Sequence, residues 1–282
     1  MMEIKEDIPL SLFTSIKIGG KARYFCEPGN IAELREALAF AKTKKLPIFI
    51  LGGGTNIIVK DSGFAGLVIK LSGSFRNIER KDSIISAGGG ALLTGLINTS
   101  LSFGLSGLTN LSGIPGTVGG AIVGNAGAFS CQISDHLITV NTLTRDGEEQ
   151  AIKEPKFLYR DSNLRDKIIL RGDFSLKPEA IWRMEEQRKQ ILEKRATTQP
   201  VGKKTAGCIF KNPVGVSAGE LIEKAGLAGF RVGEAIVSEK HKNFIENMGN
   251  ARGVDVFSLI KIIKEKVHTL YNINLSEEVI IV

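Results

Sequence analysis

Leu51-Gly52-Gly53-Gly54-Thr55-Asn56 and, about sixty residues on, Gly113-Ile114-Pro115-Gly116-Thr117-Val118-Gly119-Gly120-Ala121 are the stretches on which the fold turns. Eighteen of the 32 glycines lie between Gly52 and Gly127. Glycine costs backbone entropy unless a site needs positive φ or bare main chain against a ligand, so such a concentration calls for more than turn-making. Successive N–H groups in loops of this kind form anion-binding nests, and a residue without Cβ lets a diphosphate approach the main chain. The pair of loops therefore points to a bound dinucleotide, with ordinary tight turns as the plainer alternative.

The remaining composition narrows the partners. At 282 residues, 43% of them hydrophobic, the chain can bury sizeable cores and is long enough for two or three domains. A net charge of +7 favours anionic partners. One Trp and three Tyr supply few stacking platforms, and no basic block with interleaved aromatics occurs, so nucleic acid is not an expected partner. Cys26, Cys131 and Cys208 are odd in number and far apart, which argues for thiols in a reducing compartment rather than a disulfide framework or a C-x-x-C metal site. His136, His241 and His268 lack metal-ligand spacing, and no metal is expected. The start of the chain has no basic-then-apolar leader, and no apolar run approaches the ~18 residues of a membrane span. The expectation is a soluble cytoplasmic protein without a membrane partner or an evident obligate protein partner.

Strand and helix signals alternate. Asn30 with Glu33 has the form of a capping box, and Ile31, Leu34, Leu38 and Ala41 recur at helical spacing up to Pro47. Pro47–Leu51, Ile57–Val59, Leu67–Leu71 and Ile84–Ala87 read as strands, followed by a helix near Leu92–Leu101. Ile138–Thr144 and Glu148–Ile152 flank Asp146-Gly147, the signal of a two-residue hairpin, and Ile168–Leu176 adds a strand. From Pro178 to about Arg195 the chain is charged and helical, and Ala196-Thr197-Thr198-Gln199-Pro200 reads as a connection. Beyond it come a helix at Ser217–Ala225, a strand at Phe230–Val237 and an amphipathic helix at Val254–Tyr271. That last helix has Val256, Ile260, Ile263, Val267 and Leu270 on one face, and the terminal strand Glu278–Val282 follows it.

Neither loop is a Rossmann G-x-G-x-x-G, and no P-loop occurs. Six motifs run in order: Thr14-Ser15-Ile16-Lys17-Ile18-Gly19-Gly20; Gly52 to Asn56; Gly113 to Gly120; Tyr159-Arg160-Asp161-Ser162; Phe210-Lys211-Asn212-Pro213; and Val237-Ser238-Glu239-Lys240-His241. Together they resemble the UDP-N-acetylenolpyruvoylglucosamine reductase (UDP-N-acetylmuramate dehydrogenase) family, in its short variant without a tyrosine loop. The two glycine loops alone would indicate only the wider group of flavoproteins with the vanillyl-alcohol-oxidase type of FAD fold. The resemblance implies an α+β chain: a two-lobed FAD-binding domain over residues 1–182, its lobes at about 1–72 and 73–182, and a smaller substrate-binding domain over residues 183–282. It implies noncovalent FAD held by Gly52, Gly53, Gly54, Thr55, Asn56, Gly113, Pro115, Gly116, Thr117, Gly119, Gly120, Asn125 and Gly127. It further implies NADPH-driven reduction of an enolpyruvyl ether of a UDP-sugar to the lactyl ether, in peptidoglycan precursor synthesis.

Such a reduction needs a hydride donor at one alkene carbon, a proton donor at the other and a cation to hold the enolate between them. By motif position Arg160 is the guanidinium, suited to a carboxylate by its planar fork, and Glu278 the second catalytic acid. Cys208 stands where the family usually has a proton-donating serine. A thiol with an unperturbed pKa of ~8.5 can still donate; a nearby cation would lower that value and a carboxylate raise it. The alternative for Cys208 is a buried core thiol. Lys203 and Lys211, with neighbouring Lys204 and Asn212, are candidates for the UDP diphosphate. Phe129 stands where a tyrosine is common, Ile236 where a glutamine is and Ser276 where a glutamate is. Two other functions share parts of the pattern, an oxidase of the same fold acting on an alcohol or sugar lactone and a non-catalytic nucleotide binder.

Overall fold

The computed structural model describes residues 2–282. The chain divides into two compact units. The first comprises the N-terminal residues through Lys5, Tyr24–Gly53 and Gly66–Arg195; the second comprises Glu6–Arg23, Gly54–Ala65 and Ala196–Val282. The expected division after residue 182 was contiguous. The compact units instead part at Arg195, and the second draws in two N-terminal segments, because long-range pairing rather than chain order decides which apolar faces share a core.

Within the first unit, helix α1 (Ile31–Thr43) buries Leu34, Ala37, Leu38 and Ala41. Asn30 caps it by accepting the Glu33 N–H at 3.0 Å, while the Glu33 carboxylate reaches one residue further back than a capping box requires and takes the Gly29 N–H at 2.7 Å. The buried face of α1 packs with Leu67 and Ile69 of a strand parallel to Ile48–Ile50. Phe75, Leu143 and Ile168 join the same core, so the lobes expected to part near residue 72 share side chains. A second core lies on a five-stranded antiparallel sheet, ordered Glu149–Ile152, Leu137–Leu143, Ile168–Ser175, Ile84–Gly88 and Ile78–Lys81. Helices α2 (Leu93–Ser102) and α3 (Val118–Val123) contribute Leu93, Leu96, Ile97, Val118 and Ile122 to it.

The Asp146-Gly147 hairpin is not the expected two-residue turn. Only Gly147 has positive φ, and the Thr144 N–H donates to Glu148 O at 2.9 Å. The loop is therefore Arg145-Asp146-Gly147 with the glycine as its left-handed third residue, since a type I′ turn needs positive φ at both central positions. Helix α4 (Ile181–Thr198) overruns the expected connection by three residues, and its Met184, Ile191 and Arg195 form the buried stripe.

In the second unit, strands Thr205–Cys208, Phe244–Asn247, Ala235–Val237 and Arg231–Val232 form an antiparallel sheet in that order. The expected continuous strand from Phe230 to Val237 is a hairpin, turned at Gly233-Glu234 between Val232 and Ala235. Helices α5 (Ala218–Lys224) and α6 (Gly253–Tyr271) share the core with the sheet, together with Ile16, Ile18 and Ile58. Val256, Ile260, Ile263 and Val267 are buried as expected, joined by Leu259. Leu270 is 53% exposed, because after Val267 the buried stripe continues through Tyr271, four residues on, rather than through Leu270. Ile280–Ile281 pairs in parallel with Ile57–Ile58. Among the described residues no helix is long and apolar enough to cross a membrane.

Candidate active site

The first unit brings the two glycine loops into main-chain contact. A Cβ added at Gly53 would stand 2.7 Å from Gly116 Cα, and one added at Gly52 would stand 2.7 Å from Thr117 Oγ1. Gly116, with φ +127°, is in a conformation closed to side chains. The loop is pinned from beneath, with the Leu93 N–H donating to Gly116 O at 3.0 Å and the Val118 N–H to Ala91 O at 2.8 Å. Among the described residues no acceptor takes the N–H groups of Gly52, Gly53, Gly116 or Thr117, although Thr117 is buried. Four unclaimed donors around a cradle that any Cβ would fill are what a diphosphate needs, so these residues fit FAD.

The other glycines proposed for the cofactor serve the protein itself. The Gly119 N–H donates to Gly89 O at 2.9 Å, and the Gly120 N–H to Thr117 Oγ1 at 3.3 Å, capping α3. Gly113 makes room for Arg195, whose Cδ would lie 2.7 Å from an added Cβ, and Gly127 makes room for Arg160, whose Nη1 would lie at 2.9 Å. Pro115 is exposed. Asn125 is 2% exposed and donates from Nδ2 to Gln132 Oε1 at 2.7 Å and to Leu158 O at 3.1 Å; among the described residues its buried Oδ1 has no donor.

Arg160 is the second residue of a two-residue turn between Phe157–Leu158 and Asp161–Ser162, and takes φ +56° where glycine or asparagine is usual. Its Nη2 donates to Gly127 O at 2.7 Å, and its guanidinium lies 5.1 Å from the Tyr159 ring centroid. Ser162 anchors the hairpin by donating to Val123 O at 2.8 Å. A non-glycine residue held in the left-handed region marks a side chain whose position is worth strain. Phe129, in the left-handed region with Ser130, presents its ring to Lys194 and Arg195, each at 5.5 Å.

Cys208 and Glu278 belong to the second unit, as do Gly54, Thr55 and Asn56. Cys208 ends its strand one residue past a bulge. Thr205 faces Glu246 and Cys208 faces Phe244, which leaves one extra residue on this strand, and Gly207 takes φ +78° to absorb it. Bulges of this sort re-aim the side chain that follows. Of the three thiols, Cys26 is pushed up to about 12 and Cys131 to about 11, chiefly by burial. Cys208 is half-buried. Cys26 and Cys131 are core thiols.

The residue after Cys208 ties it to Glu278: Ile209 O accepts the Glu278 N–H at 2.8 Å. Asn56 brackets Glu278 from the other side, with Nδ2 donating to Glu278 O at 3.2 Å and its own carbonyl taking the Ile280 N–H at 3.0 Å. Two residues given no role from sequence complete the frame. Ser15 Oγ lies 2.6 Å from Thr205 O, on the Cys208 strand, and the Ser15 N–H donates to Gly54 O at 2.9 Å. Asn243, 3% exposed, accepts the Phe210 N–H on Oδ1 at 2.9 Å and returns a bond from Nδ2 to Phe210 O at 2.8 Å. Its only signal in the sequence is its place two residues after the Val237–His241 motif.

Lys203 is exposed and Lys211 half-buried, its N–H donating to Ser276 O at 2.9 Å. Asn212 uses Oδ1 to accept the Ala218 N–H at 3.0 Å at the start of α5, so its acceptor serves the fold. His241 is held below the usual imidazole value by burial, its ring 4.6 Å from Phe244.

Known proteins resemble this chain over nearly its whole length. Residues 22–153 match the family described as FAD binding domain, and residues 199–282 the family described as UDP-N-acetylenolpyruvoylglucosamine reductase, C-terminal domain. A UDP-N-acetylenolpyruvoylglucosamine reductase of Caldanaerobacter subterraneus subsp. tengcongensis is 41% identical over 97% of this chain and 92% of its own length. One of Desulforamulus reducens is 40% identical over 96% and 91%. The crystal structure of the Thermus caldophilus UDP-N-acetylenolpyruvylglucosamine reductase superposes with a TM-score of 0.88 at 34% identity, covering 100% of this chain and 99% of that one.

Proposed function

Because the chain belongs to the UDP-N-acetylenolpyruvoylglucosamine reductase family, we propose that it reduces the enolpyruvyl ether of UDP-N-acetylglucosamine to the lactyl ether of UDP-N-acetylmuramate in the cytoplasm, as a step of peptidoglycan precursor synthesis. It is an FAD oxidoreductase of α+β fold, and NADPH is the proposed electron source.

When bound, FAD supplies the hydride for one alkene carbon. The electron pair displaced from the alkene then moves onto the carboxylate-bearing carbon, giving an enolate. Arg160 opposes that charge with a fork that pairs both carboxylate oxygens. The Cys208 thiol delivers the proton to the second alkene carbon, forming the C–H bond as its S–H bond breaks, and regains a proton from solvent. Glu278 is the second acid of the pair. Lys203 and Lys211 are assigned to the diphosphate, and Asn212 to the same substrate through its Nδ2. The observation that supports this reading is the Ile209 carbonyl bonded to the Glu278 N–H, which ties the main chain next to Cys208 to that of Glu278.

The test is spectral. Purified protein should be yellow, bleach with NADPH without oxygen, and recover its colour on addition of the enolpyruvyl substrate. Recovery only with oxygen, with peroxide released in step with an alcohol or lactone substrate, would replace this function with an oxidase.

A further inference from the structure

We infer that Asn243 is a positioning residue for proton delivery, acting through the Ile209–Phe210 peptide that joins the Cys208 thiol to Glu278. The inference rests on the assignment of Cys208 as proton donor. Asn243 is 3% exposed, yet both ends of its amide are spent on main chain: Oδ1 accepts the Phe210 N–H at 2.9 Å, and Nδ2 donates to Phe210 O at 2.8 Å. Its own carbonyl takes the Ile209 N–H at 2.8 Å. Asn243 thereby continues the pairing beyond the point where Cys208 faces Phe244 and the strand ends, through its main chain at Ile209 and its side chain at Phe210.

The consequence lies in a single peptide plane. The Phe210 N–H and the Ile209 C=O belong to the same trans peptide and point in opposite directions. On one side the N–H is taken by Asn243; on the other the C=O accepts the N–H groups of Glu278 at 2.8 Å and Val279 at 3.4 Å. Rotating this plane would move the Glu278 backbone relative to Cys208, which is one residue from Ile209. Asn243 holds the N–H end of that plane while the Glu278 and Val279 N–H groups hold its C=O end, and bonds arranged in series strengthen one another in a low-dielectric interior. A buried apolar residue of the same size would leave the Phe210 N–H and C=O unpaired and the plane held at its C=O end alone.

Asn243→Leu and Asn243→Asp, studied in the full-length FAD-loaded protein, separate positioning from packing. Asp keeps the acceptor for the Phe210 N–H and loses the donor to Phe210 O. In stopped flow, flavin bleaching by NADPH should keep its rate constant in both variants. The rate constant for substrate-driven recolouring should fall about 10–100-fold, the scale on which displacements near 1 Å act. Its solvent deuterium isotope effect should rise, because a misaligned proton transfer becomes rate-limiting. Asn243→Asp should fall less than Asn243→Leu, and it carries the comparison if Asn243→Leu does not fold. A structural role alone predicts reduced amplitude and lower thermal stability, with unchanged rate constant and isotope effect, and that result overturns the inference. Cys208→Ala tests the underlying assignment separately. If Cys208→Ala recolours normally, the proton-donor role fails; if Cys208→Ala is slow and the Asn243 variants are normal, only the inference about Asn243 fails.

Discussion

Gly53→Ala is the most economical test of the cofactor cradle, because it adds one carbon where the two loops touch. Its φ lies outside the left-handed region, so alanine meets no backbone penalty of its own, and the residue is exposed on its other side. The new Cβ would stand 2.7 Å from Gly116 Cα and 3.3 Å from its carbonyl carbon, main-chain atoms that no rotamer change can move aside. To reach an ordinary contact of 3.4 Å the loops must part by about 0.7 Å. A diphosphate bonded at about 2.9 Å to donors on both loops would then be at about 3.6 Å from one set, beyond useful hydrogen bonding. Losing two charge-assisted bonds at about 1.5–3 kcal/mol each weakens binding by about 3–6 kcal/mol, or about 10²–10⁴ in FAD affinity. The assay is titration of the apoprotein with FAD, followed by quenching of flavin fluorescence. Gly95→Ala, in α2, is the control: its added Cβ meets only the tip of Ile78 at 3.3 Å, and affinity should be unchanged. Wild-type FAD affinity in Gly53→Ala would show that the loops hold no diphosphate.

Cys208→Ala should leave NADPH reduction of the flavin intact and slow reoxidation by substrate about 10²–10⁴-fold, with Cys208→Ser restoring much of it; normal reoxidation in stopped flow removes the thiol from the mechanism. Arg160→Gly should relieve a left-handed residue at a cost of the bond to Gly127 O, so the melting temperature should hold or rise while turnover collapses; a variant that turns over normally would make Arg160 a surface cation. Alkaline titration should destabilise the fold from about pH 9 upward, since Cys26 and Cys131 stay protonated in the native state to about 12 and 11 while the unfolded chain deprotonates near 9.0; denaturation midpoints that do not fall between pH 8.5 and 10.5 would contradict the burial of these thiols. Acid precipitation should release all the yellow colour, and cofactor left on the pellet would show a covalent link.

Much of this was legible before any tertiary structure. Helix α1 could be read from Asn30, Glu33 and the spacing of Leu34, Leu38 and Ala41, because capping and amphipathicity are local. The glycine loops stood out because eighteen of the 32 glycines crowd between Gly52 and Gly127. Local rules failed where pairing intervened. Asp146-Gly147 became a three-residue loop, Phe230–Val237 split at Gly233, and Leu270 fell off the buried face, whose place Tyr271 takes. Propensity and period describe a segment alone, whereas register and burial depend on what lies opposite it.

By itself the sequence determined which residues are able to do chemistry: a guanidinium in Tyr159-Arg160-Asp161-Ser162, a thiol at Cys208, a carboxylate at Glu278 and two loops stripped of side chains. Tertiary structure alone decided how these are used. It set Gly53 against Gly116 while giving Gly113 to Arg195 and Gly119 to Gly89, so glycines that look alike in sequence have different neighbours. It buried Cys26 and Cys131 and left Cys208 half-buried beyond a bulge, so that three equal letters became two core thiols and one candidate acid. It also turned Asn243 from one polar residue among many into the clamp on the peptide between thiol and carboxylate. The physical reason is common to all three. A side chain's identity fixes the bonds it can make, but burial and the main-chain groups brought to it from distant segments fix which of those bonds exist.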